Sequence, residues 1–331
     1  MRPERPRRLR RDAIRPLIAE TSLAPNDFIA PIFVDATTSD PRAIASMPGH
    51  ERLPLEAVAD RAHELEAAGI RGVIVFGIPE RKDEEGSRAW ADDGVVQRAV
   101  RELDVRTDLT IVTDVCLCEY TDHGHCGVLA HDARKASGSM TVENDATLAA
   151  LARTAGSHAD AGADIVAPSA MMDGQVGAIR TALDDAGHED VAILSYAVKY
   201  ESAYYGPFRD AADGAPAFGD RRHYQMDPHN RREAIREVEL DVDEGTDMVM
   251  VKPAMTYLDI VRDVREAVSV PVAAYHVSGE YAMLVAADDR GWLDREATAM
   301  EAAVSMKRAG ADLIISYFAE ELAGRLSGRS R

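Results

Sequence analysis

The chain has 331 residues and a formal net charge of −19, from 57 acidic and 38 basic residues. This length suits one large α/β barrel better than one small domain, and the net negative charge argues against a general binder of nucleic-acid phosphates. No run of eighteen apolar residues occurs, so no membrane-spanning helix is expected.

Residues 1–11 are rich in Arg and Pro and lack an apolar segment, which reads against a secretory leader and for a cytoplasmic protein. Of the basic residues, 33 are Arg and five are Lys, at positions 82, 135, 199, 252 and 307. An acidic, Lys-poor surface is expected of a halophilic source, where salt screens the repulsion between carboxylates. The three cysteines fall within eleven positions. Such a cluster in an intracellular chain points to metal or redox chemistry rather than to disulfides.

Residues 1–28 precede the first β-rich run and are expected to form an arm for subunit contacts. From there, short apolar runs recur at 29–34, 72–76, 110–115, 164–167, 191–196, 247–251, 270–275 and 312–317. Each reads as a parallel strand buried on both faces. Helical patterns lie between them at 55–68, 147–161, 231–244, 257–267 and 295–309, and several end at a glycine, such as Gly69 and Gly310, suited to a left-handed cap. Eight strands alternating with helices predict a (β/α)8 TIM barrel over residues 29–331. The long connections 79–94 and 200–228 then lie on the catalytic face, and the second, dense in Tyr, Phe, Arg, Gly and Pro, suits a lid.

Lys199 lies just past the fifth strand and Lys252 ends the sixth. Burial at an apolar strand end is expected to lower the pKa of each amine and free it for Schiff-base formation. Neighbouring strands bring both to one mouth. Cys116, Cys118 and Cys126 start at the end of the third strand, so they reach the same mouth. Their C-x-C-x7-C spacing can surround zinc and leave a fourth position open for carbonyl polarisation or a bound hydroxide. Spacing alone leaves open a closed structural site completed by His123, His125 or Asp122.

Six collinear stretches carry a family resemblance: 114–127, 166–174, 205–211, 219–222, 250–253 and 275–280. Together they resemble the 5-aminolevulinate dehydratases, over nearly the whole chain. The resemblance implies a lyase that condenses two molecules of 5-aminolevulinate to porphobilinogen in tetrapyrrole biosynthesis. Lys252 looks like the lysine that binds the propionate-side substrate, and Lys199 like the one that holds the acetate-side substrate. Cys116, Cys118 and Cys126 match the zinc-dependent form of the site. Arg209 and Arg221, with Gln225 nearby, match the lid groups on the acetate-side carboxylate. Ser278 and Tyr317 match those on the propionate-side carboxylate, Asp114 and Ser169 those near its amino group, and Tyr275 and Phe208 wall residues.

Further implications are a homo-octamer embraced by the N-terminal arms and an activating Mg2+ at Glu237. The family commonly has Asp where this chain has Ala170. Position 223 is His where some members have Cys, which leaves His125 and His223 as a candidate second metal pair. Two rivals stand beside this reading: a one-lysine Schiff-base aldolase on the same fold, and a zinc-stabilised scaffold without activity.

Overall fold

Eight parallel strands close on themselves in the computed structural model, which describes residues 4–131 and 140–328. They are β1 (Phe28–Asp35), β2 (Gly72–Ile78), β3 (Thr110–Val115), β4 (Ile165–Pro168), β5 (Ala192–Lys199), β6 (Met248–Lys252), β7 (Val272–His276) and β8 (Leu313–Ser316). Each pairs with its sequence neighbours, and β8 returns to β1 through the register Phe28↔Ile314. Every residue of β1 and β2 is buried, as expected where strands have side chains inside the barrel and helices outside. The TIM barrel expected from the eight apolar runs is therefore the observed fold.

The outer layer comprises α1 (Val58–Ala68), α2 (Val95–Arg106), α3 (Asn144–Asp160), α4 (Gln175–Asp185), the short α5 (Gly206–Ala211), α6 (Arg231–Asp243), α7 (Leu258–Ala267), α8 (Ser278–Asp288), α9 (Arg295–Ala309) and α10 (Ala319–Leu326). On α7, Ile260, Val261 and Val264 are buried, a spacing that puts them on one helical face toward the sheet. Gly69 and Gly310 sit at φ +101° and +125°, a backbone region that a Cβ would strain.

One irregularity matters for the site. Between β5 and β6 the pairing runs Ser195↔Val249 and then Val198↔Val251, an extra residue on β5. A bulge of this kind resets which side chains face inward. Ser195 therefore turns outward to bond Asp241 on α6, while Tyr196 and Lys199 both reach the barrel mouth. Beyond the bulge, Lys199 and Lys252 are direct register partners.

The segment 200–228, the expected lid, includes α5 and lines the cleft of the two lysines through Tyr205, Phe208, Arg209 and Arg221. It is tied down from several sides: Phe208 N donates to Ser278 Oγ at 2.9 Å, Arg52 Nη2 to Asp210 O at 2.5 Å, and Lys82 Nζ to Asp213 Oδ2 at 2.8 Å. Near the N-terminus, the turns at Pro6–Arg10 and Arg15–Ile18 bury none of their residues. Leu9, Leu17 and Ile18 stand exposed there.

Candidate active site

The two lysines end adjacent strands but meet different surroundings. Lys252 Nζ lies 4.3 Å from the ring centre of Tyr275, 5.0 Å from those of Tyr196 and Phe208, and 5.4 Å from that of Tyr205. Aromatic walls exclude water, and burial, with Lys199 adding repulsion, pulls the Lys252 amine down to about 7. Lys199 donates to Ser169 O at 2.5 Å and touches the Tyr196 ring. Burial alone would lower it too, but Cys126, Cys116, Asp114 and Cys118 outweigh burial and raise it above the ordinary lysine value. The expectation of two lowered amines thus holds for Lys252 and fails for Lys199: Asp114 and Cys118 act on both, but Cys126 and Cys116 add to the pull on Lys199.

Cys116, Cys118 and Cys126 are buried, with their Sγ atoms within 4.8 Å of one another. Sulfurs around a tetrahedral zinc with Zn–S near 2.3 Å lie roughly 3.8 Å apart, so the spacing fits the ion. Hydrogen bonds from Cys116 and Cys118 hold the Cys126 thiol well below its usual value, with Arg221 and Lys199 adding attraction. One sulfur is therefore disposed to ionise before the others, as a cation site requires. The loop is braced by Asp83, whose N–H donates to Tyr120 O at 3.2 Å and whose carbonyl accepts from Asp122 N at 3.0 Å.

The carboxylate-binding candidates fall into two groups. Ser278 and Tyr317 are buried, and the Tyr317 hydroxyl lies 3.2 Å from that of Tyr275. Asp114 accepts from Ser169 Oγ at 3.1 Å; burial raises its pKa, against the pull of both lysines. On the other side, Arg209 and Arg221 border the cleft with Lys199, Lys252, Cys118 and Phe208.

Arg209 makes no ion pair with Asp210 or Asp213, whose carboxylates are taken by Ser46 and Lys82. Among the described residues its buried Nε has no partner, nor has that of Arg221. Arg221 Nη2 bonds Gly124 O at 2.9 Å and Gly214 O at 2.6 Å, which fixes the lid to the cysteine loop. Buried guanidinium N–H groups left open in a cleft are suited to an incoming carboxylate. Gln225 is buried, neither amide atom has a partner among the described residues, and it borders a neighbouring polar cleft with Asp173, His223 and Glu237.

Glu237, on α6, has its pKa raised by partial burial and then by Asp173 and Glu233. The His125 and His223 rings lie 6.2 Å apart. Both His125 nitrogens are engaged, Nε2 with Phe218 O at 3.0 Å and Nδ1 with the Tyr224 hydroxyl at 3.3 Å. His223 Nε2 accepts from Val142 N at 3.2 Å. Ala170 is fully buried between Ser169 and Met171.

Sequence reasoning missed two members of the site. Tyr196 is fully buried, shares its ring between both amines, and turns its hydroxyl toward the Asp114 carboxyl. Simple strand alternation would have turned it away from Lys199; only the bulge brings them together. Glu119 borders the cleft and contacts Cys118 Sγ at 3.2 Å. Burial, reinforced by Asp114 and Cys126, raises its pKa to about 7. Its adjacency to Cys118 was the one available signal.

Comparison with known proteins agrees with this geometry. The family profile described as Delta-aminolevulinic acid dehydratase matches residues 3–325. A protein of that name from Archaeoglobus fulgidus is 54% identical over 323 residues, covering 97% of this chain and 98% of its own length. One from Synechocystis is 52% identical, covering 96% of this chain and 97% of its own length. Among solved structures, the Toxoplasma gondii delta-aminolevulinic acid dehydratase (porphobilinogen synthase), in complex with its product porphobilinogen, superposes with TM-score 0.93 at 41% identity, over 98% of this chain and 91% of that one. Likeness at this level over the full barrel places the chain in the delta-aminolevulinic acid dehydratase family.

Proposed function

We propose that this enzyme condenses two molecules of 5-aminolevulinate to porphobilinogen, with Lys252 and Lys199 as its Schiff-base lysines. The observation that carries this reading is the pairing of Lys199 with Lys252 in direct register, both buried in one cleft that two open guanidinium groups also border. The Lys252 amine, brought to about 7 in its aromatic box and so partly unprotonated at neutral pH, attacks the ketone of the first substrate, and water leaves as the imine forms. Ser278 and Tyr317 hold that substrate's carboxylate, and Asp114 with Ser169 orients its amino group. Lys199 takes the second ketone, whose carboxylate binds Arg209 and Arg221 under the lid. Fixing both carboxylates turns the encounter of two small molecules into a near-unimolecular step. The lid excludes bulk water while carbon–carbon and carbon–nitrogen bonds form and two waters leave overall.

Cys116, Cys118 and Cys126 would hold zinc, which supplies Lewis acidity beside the second substrate. The aldolase rival leaves Lys199 and the thiols without a role, and the scaffold rival does not account for an amine brought to about 7. Three further parts belong to the same reading. The exposed Leu9, Leu17 and Ile18 beside the arm's arginines support an arm that packs on a second copy, in a homo-octamer. Glu237, with Asp173 and Glu233 close by, would take the activating Mg2+. A second metal between His125 and His223 would have to displace their present hydrogen bonds. Among the described residues no helix is long and apolar enough to cross a membrane; a cytoplasmic, salt-tolerant enzyme is the accompanying proposal.

The test is pyrrole formation from 5-aminolevulinate in high potassium chloride, before and after chelation, with zinc then added back. Activity that is lost on chelation and restored by zinc is expected. Absence of pyrrole under every salt and metal condition would overturn the assignment for this chain, and attention would turn to Ala170.

A further inference from the structure

Glu280 plays no part in the chemistry described so far, yet it is fully buried close to the site. It is the third residue of α8, and its Oε2 accepts from Val277 N at 2.9 Å. That half of a capping box is a common way to satisfy a helix N-terminus. The other oxygen does something a cap does not require. Oε1 accepts from Thr256 N at 3.3 Å, and the Met255 N–H also faces the carboxylate. Met255 and Thr256 belong to the turn that follows Lys252, whereas Val277 leads into Ser278. One buried carboxylate therefore joins the connections after β6 and β7. The same turn is held by Ala254 N donating to Tyr275 O at 3.0 Å.

The ends of this bridge are the two ends of one substrate position. Lys252 meets the ketone carbon, and Ser278 meets the carboxylate. The distance between them fixes how many methylenes the bound oxo acid can carry: two for a 4-oxo acid. We propose that Glu280 is a positioning residue that sets the Lys252–Ser278 separation and so selects the chain length of the oxo acid. This rests on the Schiff-base reading above. The carboxylate suits the task because it takes both backbone networks with no mobile surface group between them, so a displacement of either connection strains a buried hydrogen bond.

Borohydride trapping tests this without turnover. An oxo acid and the Lys252 amine form an imine with loss of water; borohydride adds hydride to the imine carbon and water supplies the proton, leaving a secondary amine. Peptide mass spectrometry then reports adduct formation at Lys252 separately from Lys199. The probes are 4-oxopentanoate and the one-carbon-longer 5-oxohexanoate, and the readout is the half-saturating concentration of each. The wild-type protein should favour the shorter acid at least about tenfold, within the roughly 10–200-fold that one misplaced methylene is worth.

Glu280→Gln, which keeps shape but replaces one acceptor with a donor, should bring the two acids to within about threefold, with full labelling still reached at saturation. Glu280→Asp, which retains the charge but pulls it back by one methylene, should also change the ratio and serves if the first variant does not fold. A folded variant that keeps the wild-type ratio would overturn the inference. A wild-type protein that neither acid labels at Lys252 would instead sink the Schiff-base reading and this inference with it.

Discussion

Lys252 and Lys199 are the same residue at the same kind of position, yet the barrel treats them oppositely. Around Lys252 stand four aromatic rings, and its amine falls to about 7. Around Lys199 stand the three thiols, Asp114 and the Ser169 carbonyl, and its ammonium is favoured. Burial is common to both, and Asp114 and Cys118 pull on both; what separates them is the added pull of Cys126 and Cys116 on Lys199 and the repulsion that Lys199 exerts on Lys252. One amine is therefore poised to lose its proton near neutral pH, while the other is held as an ammonium. A cation bound at the cysteines would offset the charge of the Cys126 sulfur and relax the hold on Lys199.

Replacing each lysine with Met should break this comparison most visibly. Either change should reduce pyrrole formation by about 10⁴-fold, as for residues that act as a unit. Stability should move in opposite directions. Lys252 has a lowered folded pKa, so its contribution is unfavourable below pH 7 and is relieved as pH rises from about 7 toward 10.5. Lys252→Met should therefore stabilise the protein near neutrality, by at most on the order of 4 kcal/mol. In metal-free protein, Lys199→Met removes a charged hydrogen bond from Ser169 O and should destabilise by roughly 1.5–3 kcal/mol. Thermal unfolding of both variants after chelation checks the pair; shifts of the same sign would contradict the contrast.

A pH profile sharpens the Lys252 half. In zinc-loaded enzyme, kcat/KM should fall on the acid side with an apparent pKa near 7, because the protonated amine cannot attack. A profile flat down to pH 5 would count against the aromatic box as the source of the lowered amine.

Tyr196 serves both lysines, so its removal should disturb both at once. Tyr196→Leu takes away ring contacts at 5.0 and 5.4 Å and should lower kcat/KM about thirtyfold, near the upper range for a desolvated cation–π contact. Tyr196→Phe retains the ring and should be milder. Equal losses in the two variants would assign the effect to the hydroxyl instead.

The smallest effect is expected at the rim, where Lys82 pairs with Asp213 of the lid. Part-exposed pairs contribute about 0.2–1 kcal/mol and are screened by salt. Lys82→Met should raise KM about twofold at low salt and by less in molar potassium chloride. A salt-independent effect would point to packing rather than charge.

Local chemistry made much of this legible beforehand. The eight apolar runs lie on the eight strands, with ends displaced by a few residues, because parallel strands buried on two faces admit little but apolar side chains. The cysteine triplet was readable because three thiols within eleven positions cannot help being near one another. Lys252 was readable because it ends an apolar run. Of the five lysines, Lys82 and Lys307 are paired at the surface, Lys199 and Lys252 are buried, and Lys135 lies outside the described residues.

The remainder required the tertiary structure, since it depends on residues far apart in the chain. A single extra residue in β5 turned Tyr196 inward, and bulges leave no reliable mark in composition. The rise of Lys199 depends on thiols some eighty positions away, and the open Nε of Arg209 depends on Ser46 and Lys82 taking its acidic neighbours. The bridge of Glu280 to Thr256 spans 24 positions and joins two connections that only barrel closure sets side by side. Strand periodicity and residue type thus determined the barrel and the chemistry it carries. Closure of the sheet determined which groups share a volume, and in a low-dielectric interior that decides their charge.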